Sequence, residues 1–234
     1  MSVATAVPNR KALLRKSLLE YLPMAAVAVL ILVFAVKEHQ AFYKTLPTLV
    51  TLAVQILMAR ANRYGFLLGG FNAALYGVGY LTEGLYFSAA SSILFSFPMQ
   101  IWSFFQWRKN SDGQEVRFRC MKPLVLGGTV GGILLAWLGC VLFLGPLFEG
   151  AAFPSLDAYS FVSGIVVTVL MAVRYLEAQY LNLIAGAVAL VMWILITLEK
   201  PANINFLIIS AYNLALTVKA CCIWTKQYCR QRRN

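Results

Sequence analysis

The chain is a succession of eight apolar runs separated by short polar links. A transmembrane helix needs about 20 mostly apolar residues, and somewhat fewer where the bilayer thins. Links as short as residues 82–84 leave room only for helices that run alternately up and down. The pattern therefore predicts an all-α polytopic membrane protein with eight spans, at residues 18–36, 42–59, 65–81, 85–107, 123–148, 158–173, 180–198 and 204–224.

Composition supports a lipid environment for this chain. Hydrophobic residues make up 60% of the 234 residues, charged residues make up 12%, and the mean hydropathy is +0.72. Soluble domains carry roughly 25% charged residues. The chain therefore has too little polar surface for a water-soluble domain of its size, and the lipid bilayer is its first expected partner.

Lys and Arg are distributed unevenly between alternate links. When the N-terminus is placed inside, sixteen of the twenty Lys and Arg residues lie in inner segments, three lie outside, and Lys219 lies within the last span. Cytoplasmic loops of membrane proteins carry such an excess, so we expect both termini in the cytoplasm. This topology and attraction to anionic lipids explain the net charge of +11, and we expect no nucleic-acid partner.

An internal repeat divides the chain. Ile-Leu-Met-Ala at residues 56–59 ends the second span, and Val-Leu-Met-Ala at residues 169–172 ends the sixth. Three spans reverse the direction of the chain and the fifth span restores it, which predicts a three-plus-one-plus-three core of seven helices, built from parallel repeats, after one extra helix. The predicted units are a basic tail with the extra helix at 1–41, the first repeat at 42–110, a basic loop with the linker helix at 111–157, the second repeat at 158–227 and a basic tail at 228–234.

The predicted spans contain few ionisable residues, and this limits the chemistry that the chain can perform. No Asp or Glu lies well inside a predicted span, and the single His39 lies in a link. Proton-coupled carriers usually need an ionisable residue near the middle of the membrane, and the five cysteines form no CxxC pair. We therefore expect no proton coupling, no enzymatic activity, no metal site and no cofactor. The side chain of Lys219 is close enough to the inner end of its span to reach the headgroups.

Neutral polar and aromatic residues remain as candidates for a binding site. A buried amide must bind another helix, water or a ligand, because hydrocarbon cannot satisfy it. Such groups mixed with aromatic rings suit a small, polar, ring-containing solute, although the alternative is that they only bond helix to helix. The candidate substrate-binding residues are Asn72, Tyr76, Gln100, Asn182, Trp193, Tyr212 and Asn213. Pro98 removes a backbone hydrogen bond beside Gln100 and predicts a kink there.

Three stretches resemble the PnuC family of bacterial vitamin transporters. They are YGFLLGGFNAALY at residues 64–76, GLY at 84–86 and FPMQIWSFFQWRK at 97–109, and the resemblance covers about residues 46–227. It implies a doubled repeat of the SWEET type in a bacterial cytoplasmic membrane. It also implies facilitated diffusion of a vitamin, nicotinamide riboside first, with a cytosolic kinase that phosphorylates and traps the nucleoside.

One element departs from the family pattern. Nicotinamide riboside carriers resemble one another in a Trp-x-x-Trp-x-x-x-Asn/Asp element, and the matching stretch here is YLNLIAGA at residues 180–187. Tyr180 stands in for the first Trp, while Leu183 and Ala187 keep neither the second ring nor the polar group. Carriers of thiamine, riboflavin or deoxynucleosides with the same fold therefore remain alternatives. A second alternative is a substrate-binding membrane subunit of an ATPase-driven importer. The chain could also form a homo-oligomer.

Overall fold

The computed structural model describes residues 10–59, 64–109, 118–148 and 150–233, and these fold into eight helical segments. Helices α1 to α3 are Arg10–Lys37, Phe42–Ala59 and Tyr64–Thr82. Helix α4 consists of Tyr86–Ala90, a π-helical turn Ser91–Ser96, and Phe97–Lys109. Helix α5 consists of Pro123–Gly139, a π-helical turn Cys140–Leu144 and a 3₁₀ turn Gly145–Leu147. Helices α6 and α7 are Pro154–Ala172 and Glu177–Glu199, and a 3₁₀ turn Pro201–Asn203 leads into α8, Ile204–Gln231.

Each predicted span coincides with one of these helices, but several helices extend beyond the apolar run that predicted them. Helix α1 begins at Arg10, α6 begins at Pro154, and α8 continues to Gln231. The difference has a physical reason, because an apolar run ends at the limit of the hydrocarbon whereas backbone hydrogen bonds can continue into the interface. The described part of the chain leaves out residues 1–9, 60–63, 110–117, Glu149 and Asn234, so three of the basic residues counted as inner, Arg60, Arg63 and Arg117, lie outside it.

Length and hydropathy mark four helical stretches as able to cross a membrane. They are Pro123–Leu147, Pro154–Ala172, Glu177–Glu199 and Pro201–Gln231, and Tyr21–Lys37 is a shorter apolar helix. These four stretches are counted within the described residues alone. These stretches have the length and composition of membrane-spanning helices.

The helices pack as two sets of three. Helix α3 lies between α2 and α4, and α7 lies between α6 and α8. The two sets meet along two seams, α2 with α8 and α4 with α6. Helix α1 packs on both α2 and α8, where Ile31, Leu52 and Ile209 form a buried apolar cluster. Helix α5 packs on α6.

The interruption expected near Pro98 takes the form of a π-helical turn. This turn, Ser91–Ser96, ends just before Pro98. Proline has no N–H and its ring collides with the preceding turn, and the π-helix occurs mostly as single turns of this kind inside α-helices. Ser91 and Ser92 are buried within the turn.

Glycines of α3 bring it close to α4. A Cβ added to Gly69 would overlap Gln100 Oε1, and one added to Gly77 would overlap the side chain of Ile93. The absent side chains therefore leave room for residues of α4 against α3. This close approach is what positions Gln100 beside the helix that carries Asn72 and Tyr76.

Candidate functional site

Four aromatic rings from three helices form a cluster inside the bundle. Tyr76 and Tyr80 come from α3, Trp193 from α7 and Phe206 from α8. Trp193 and Phe206 are stacked, with ring centroids 4.5 Å apart and an interplanar angle of 18°. Tyr76 lies 5.9 Å from Phe206, and Tyr80 lies 5.9 Å from Trp193. Because α3 belongs to the first three-helix set and α7 and α8 to the second, the cluster joins the two sets.

A hydrogen-bond network around Thr51 continues the cluster toward α2. Asn72 Nδ2 donates to Thr51 Oγ1 over 3.0 Å. The hydroxyl groups of Thr51 and Tyr76 lie 3.0 Å apart, and Thr51 Oγ1 donates to the backbone oxygen of Pro47 over 2.9 Å. Asn72 and Tyr76 are four residues apart on one face of α3, so a single threonine holds both of them.

Two candidate amides keep a buried oxygen without a hydrogen-bond partner. These atoms are Asn72 Oδ1 and Asn213 Oδ1, from α3 and α8. A buried acceptor without a partner costs about 1–3 kcal/mol, so such groups are candidates for contact with a ligand or with water. Asn213 follows Phe206 by two helical turns, and Asn72 precedes Tyr76 by one turn on α3.

The other candidates have partners of their own. Asn182 Nδ2 donates to Thr217 Oγ1 over 3.3 Å and so bonds α7 to α8. Tyr212 packs against the apolar cluster of Ile31, Leu52 and Ile209, on the side of α8 that contacts α1 and α2. The predicted residues therefore do not form one group. Asn72, Tyr76 and Trp193 are connected through the aromatic cluster and Thr51, whereas Tyr212 lies beside α1.

At one end of the bundle, a buried carboxylate joins the two three-helix sets. Glu83 follows α3, and its side chain is only 2% exposed. It forms an ion pair with Lys44 of α2, accepts from Asn203 Nδ2 over 2.7 Å, and lies 3.4 Å from Lys200 Nζ. Lys44 Nζ also donates to Asn203 Oδ1 over 3.1 Å. We call these four residues the Glu83 cluster.

The charge state of Glu83 follows from its partners. Burial acts to raise the pKa of Glu83, but hydrogen bonds from Lys44 and Asn203 and the charges of Lys44 and Lys200 act in the opposite direction and outweigh it. The net effect lowers the pKa of this carboxyl group below its ordinary value. The cluster is therefore held together by an ionised carboxylate at neutral pH.

A second buried carboxylate holds the seam between α4 and α6. Asp157, in the first turn of α6, is fully buried. Its oxygens accept the backbone N–H groups of Phe87 over 2.9 Å and Ser88 over 3.0 Å, as well as the hydroxyl of Ser88. Free N–H groups at a helix N-terminus attract an acceptor, so Asp157 caps a helix of the other three-helix set.

At the opposite end of the bundle, Glu177 organises the segment before α5. Its Oε1 accepts from Met121 N over 2.9 Å and from Cys120 Sγ over 2.8 Å. The hydrogen bond to Glu177 raises the pKa of the Cys120 thiol. Arg119 forms a short parallel bridge with Tyr175 nearby. This segment thus packs on the link between α6 and α7.

Sequence reasoning missed several of these residues. It placed Glu83 and Asp157 in the links between spans and gave them no role, whereas the structure buries both side chains among hydrogen-bond donors. It did not select Thr51 or Phe206. The acid in the first turn of α6 is a signal for a capping role, but no local pattern indicates that it caps α4. Within the described residues, no three His, Cys, Asp or Glu side chains gather as a metal ion would need.

Two packed three-helix sets of apolar helices, joined by buried polar and aromatic side chains, define the class as a polytopic α-helical membrane protein. The profile of the family described as nicotinamide mononucleotide transporter matches residues 41–226. The chain belongs to this transporter family, and the predicted resemblance to PnuC is confirmed.

The fold is similar to that of a solved relative. The crystal structure of the vitamin B3 transporter PnuC matches with a TM-score of 0.72 and 20% sequence identity, over 91% of this chain and 92% of that chain. At that level of identity the likeness concerns the fold. A comparison with curated protein sequences gave no match.

Proposed function

We propose that this chain carries nicotinamide riboside across a bacterial cytoplasmic membrane by facilitated diffusion. The family supports a vitamin B3-type solute, and the fold resembles that of a vitamin B3 transporter. The observation that carries the proposal is the site shared by the two three-helix sets. Aromatic rings from both sets pack together, and Thr51 joins Tyr76 of this cluster to Asn72, whose buried amide oxygen has no partner.

The polarity of this site favours a nucleoside over a nucleotide. Asn72 Oδ1 and Asn213 Oδ1 are acceptors, and they suit the hydroxyl and carboxamide donors of nicotinamide riboside. A phosphate group presents acceptors and negative charge, and it needs N–H or cationic partners. Helices α3 and α7 carry no Lys or Arg, and the first such residue in α8 is the exposed Lys219.

Facilitated diffusion agrees with how the buried carboxylates are used. Glu83 and Asp157 both lie at helix ends and are engaged by donors. A proton-coupled carrier needs an ionisable group that changes its partners near the middle of the membrane. Net uptake then depends on a cytosolic kinase that phosphorylates the nucleoside and prevents its return.

The proposed topology has eight crossings and cytoplasmic termini. The Glu83 cluster then lies on the outer side, and the link around Glu177 on the inner side, where most Lys and Arg residues fall. The moving units are the first repeat at residues 42–110 and the second at 158–227, and 111–157 links them. Rocking of these repeats around the shared site gives alternating access. The units at 1–41 and 228–234 flank this core.

Transport in proteoliposomes tests the proposal. Purified protein should accumulate labelled nicotinamide riboside down its own gradient, to equal concentrations on both sides. Uptake that requires an imposed proton or sodium gradient would defeat facilitated diffusion. The triple change Asn72→Ala, Gln100→Ala and Asn213→Ala should abolish uptake, and full transport by this variant would defeat the site.

Thiamine, riboflavin and deoxynucleosides are the second group of candidates. The observation that favours them is the element at residues 180–187, where Leu183 and Ala187 replace the ring and the polar group of nicotinamide riboside carriers. Competition binding to purified protein with this panel separates the candidates. Transport by the chain alone in liposomes also argues against a subunit that depends on an ATPase.

A further inference from the structure

The hydroxyl group of Thr51 uses its whole hydrogen-bonding capacity. A hydroxyl has one donor and two acceptor sites. Thr51 Oγ1 lies 2.9 Å from the backbone oxygen of Pro47, 3.0 Å from Asn72 Nδ2 and 3.0 Å from the hydroxyl of Tyr76. The Pro47 carbonyl can only accept, so the proton of Thr51 points to it. Thr51 then accepts from Asn72 and from Tyr76.

This arrangement fixes the direction of the Asn72 amide. If the amide were turned over, Asn72 Oδ1 would take the proton of Thr51. Thr51 Oγ1 and the Pro47 oxygen would then face each other at 2.9 Å without a proton between them, which is repulsive. The amide nitrogen therefore faces Thr51, and Oδ1 faces away from it. Tyr76 has donated its own proton, so its oxygen is left with acceptor capacity only.

We propose that Thr51 is a positioning residue that makes this part of the site an acceptor surface. Thr51 turns Asn72 Oδ1 and the oxygen of Tyr76 toward the solute, and so selects a solute with hydroxyl or amide donors. The inference rests on the proposed function, since it concerns how the same site recognises its solute. It assigns a role to α2, which contributes no residue to the predicted site.

A purely structural role for Thr51 is the competing explanation. Threonines in helices often donate to the carbonyl four residues earlier without any other role. The state of Asn72 favours the positioning role. Asn72 is only 5% exposed, yet its Oδ1 has no partner. Most buried side-chain polar atoms have a hydrogen-bond partner, so the unpartnered Oδ1 favours contact with a ligand over packing alone.

The test compares nicotinamide riboside with probes that each lack one donor. The probes are its 2′-, 3′- and 5′-deoxy analogues and nicotinic acid riboside, which has a carboxylate in place of the amide. Their dissociation constants are measured by titration calorimetry on the purified full chain and on Thr51→Val and Thr51→Ser. Thr48→Val is the matched control, since Thr48 is a buried threonine of the same helix whose hydroxyl donates to the Thr45 carbonyl.

The expected result is a loss of discrimination. Wild-type protein should bind nicotinamide riboside about tenfold more tightly than at least one probe, the ratio that a hydrogen bond of ordinary strength gives. Thr51→Val should weaken the binding of nicotinamide riboside by about the same factor and leave the binding of that probe unchanged. Thr51→Ser should restore the difference, and Thr48→Val should retain it.

Other outcomes separate this inference from the proposed function. A Thr51→Val variant that keeps the full discrimination, or that weakens every compound equally, would overturn the positioning role alone. Wild-type protein that binds none of these compounds would overturn the proposed function and this inference together. Thermal unfolding of each variant identifies any loss of fold. Tyr76→Phe leaves the Asn72 amide bonded to Thr51. This variant should therefore keep the discrimination that depends on Asn72.

Discussion

Asn203 Nδ2 donates to Glu83 Oε2 over 2.7 Å and joins the turn after α3 to the turn before α8. Lys44 binds both partners, so three chain segments meet at one buried carboxylate. These segments belong to different three-helix sets. Any motion that separates the sets at this end must first break the Glu83 cluster.

The two lysines of the Glu83 cluster should differ strongly in their effect on stability. Lys44 is 13% exposed and Lys200 is 58% exposed. Removing one partner of a buried ion pair costs about 3–5 kcal/mol, whereas an exposed pair contributes about 0–1 kcal/mol. Lys44→Ala should therefore lower the free energy of unfolding much more than Lys200→Ala. Denaturation in detergent measures both, and equal losses would contradict the buried ion pair.

The contribution of Glu83 should depend on pH in one direction. Its pKa is lowered in the folded protein, so its stabilisation is fully present above the ordinary carboxyl pKa of about 4.3 and is lost as the pH falls through the lower folded value. The difference in melting temperature between wild type and Glu83→Gln should be constant at neutral pH and shrink below about pH 4. A difference that grows on acidification would contradict the lowered pKa.

Replacing Asp157 should lower the stability of the fold more than replacing Ser88, whose hydroxyl group binds it. Asp157→Ala removes the acceptor of two backbone N–H groups and one hydroxyl, and it leaves the N-terminus of α4 without its cap. Ser88→Ala removes the hydroxyl bond but keeps both backbone bonds. We expect a loss of about 2–4 kcal/mol for the first variant and about 1 kcal/mol for the second. Thermal melts of both variants check this order, and a reversed order would argue against capping.

Gly69→Ala should impair transport because it displaces the side chain of Gln100. The new methyl group occupies the space of the Gln100 amide and must displace it. The matched control is Gly128→Ala in α5, where nothing lies within 4 Å of an added Cβ. Uptake should fall for Gly69→Ala and stay at the wild-type level for Gly128→Ala.

A double change identifies the cause of that loss. If Gly69→Ala acts by displacing Gln100, it should have little further effect on uptake in a Gln100→Ala background. Additive losses in the double variant would mean that Gly69→Ala acts elsewhere.

Phe206 should be necessary for both stability and transport. It is almost fully buried and contacts Tyr76, Tyr80 and Trp193. Phe206→Ala removes one side of the aromatic cluster and should cost about 3–5 kcal/mol. Phe143→Ala in α5 is the control, since that ring is 76% exposed. Similar melting temperatures for the two variants would contradict the role of the cluster.

The sequence alone predicted where the helices lie, and the physical reason is local. Hydrocarbon offers no hydrogen-bond partners, so an apolar run must satisfy its own backbone within itself. The apolar runs therefore mark the eight helices found among the described residues, and the PnuC-like motifs in α3 and α4 indicated the family. The helix ends were less predictable, because helices such as α8 continue beyond their apolar runs.

Only the tertiary structure decided which side chains meet. Glu83 and Asn203 are separated by 120 residues, and Asp157 and Ser88 by 69. From the sequence, Glu83 and Asp157 are residues of links or helix ends. Their burial depends on hydrogen-bond donors from distant parts of the chain. Asn72 and Thr51 are 21 residues apart, on neighbouring helices. A local pattern records propensity and hydropathy, whereas the partner of a buried polar group depends on how the helices pack.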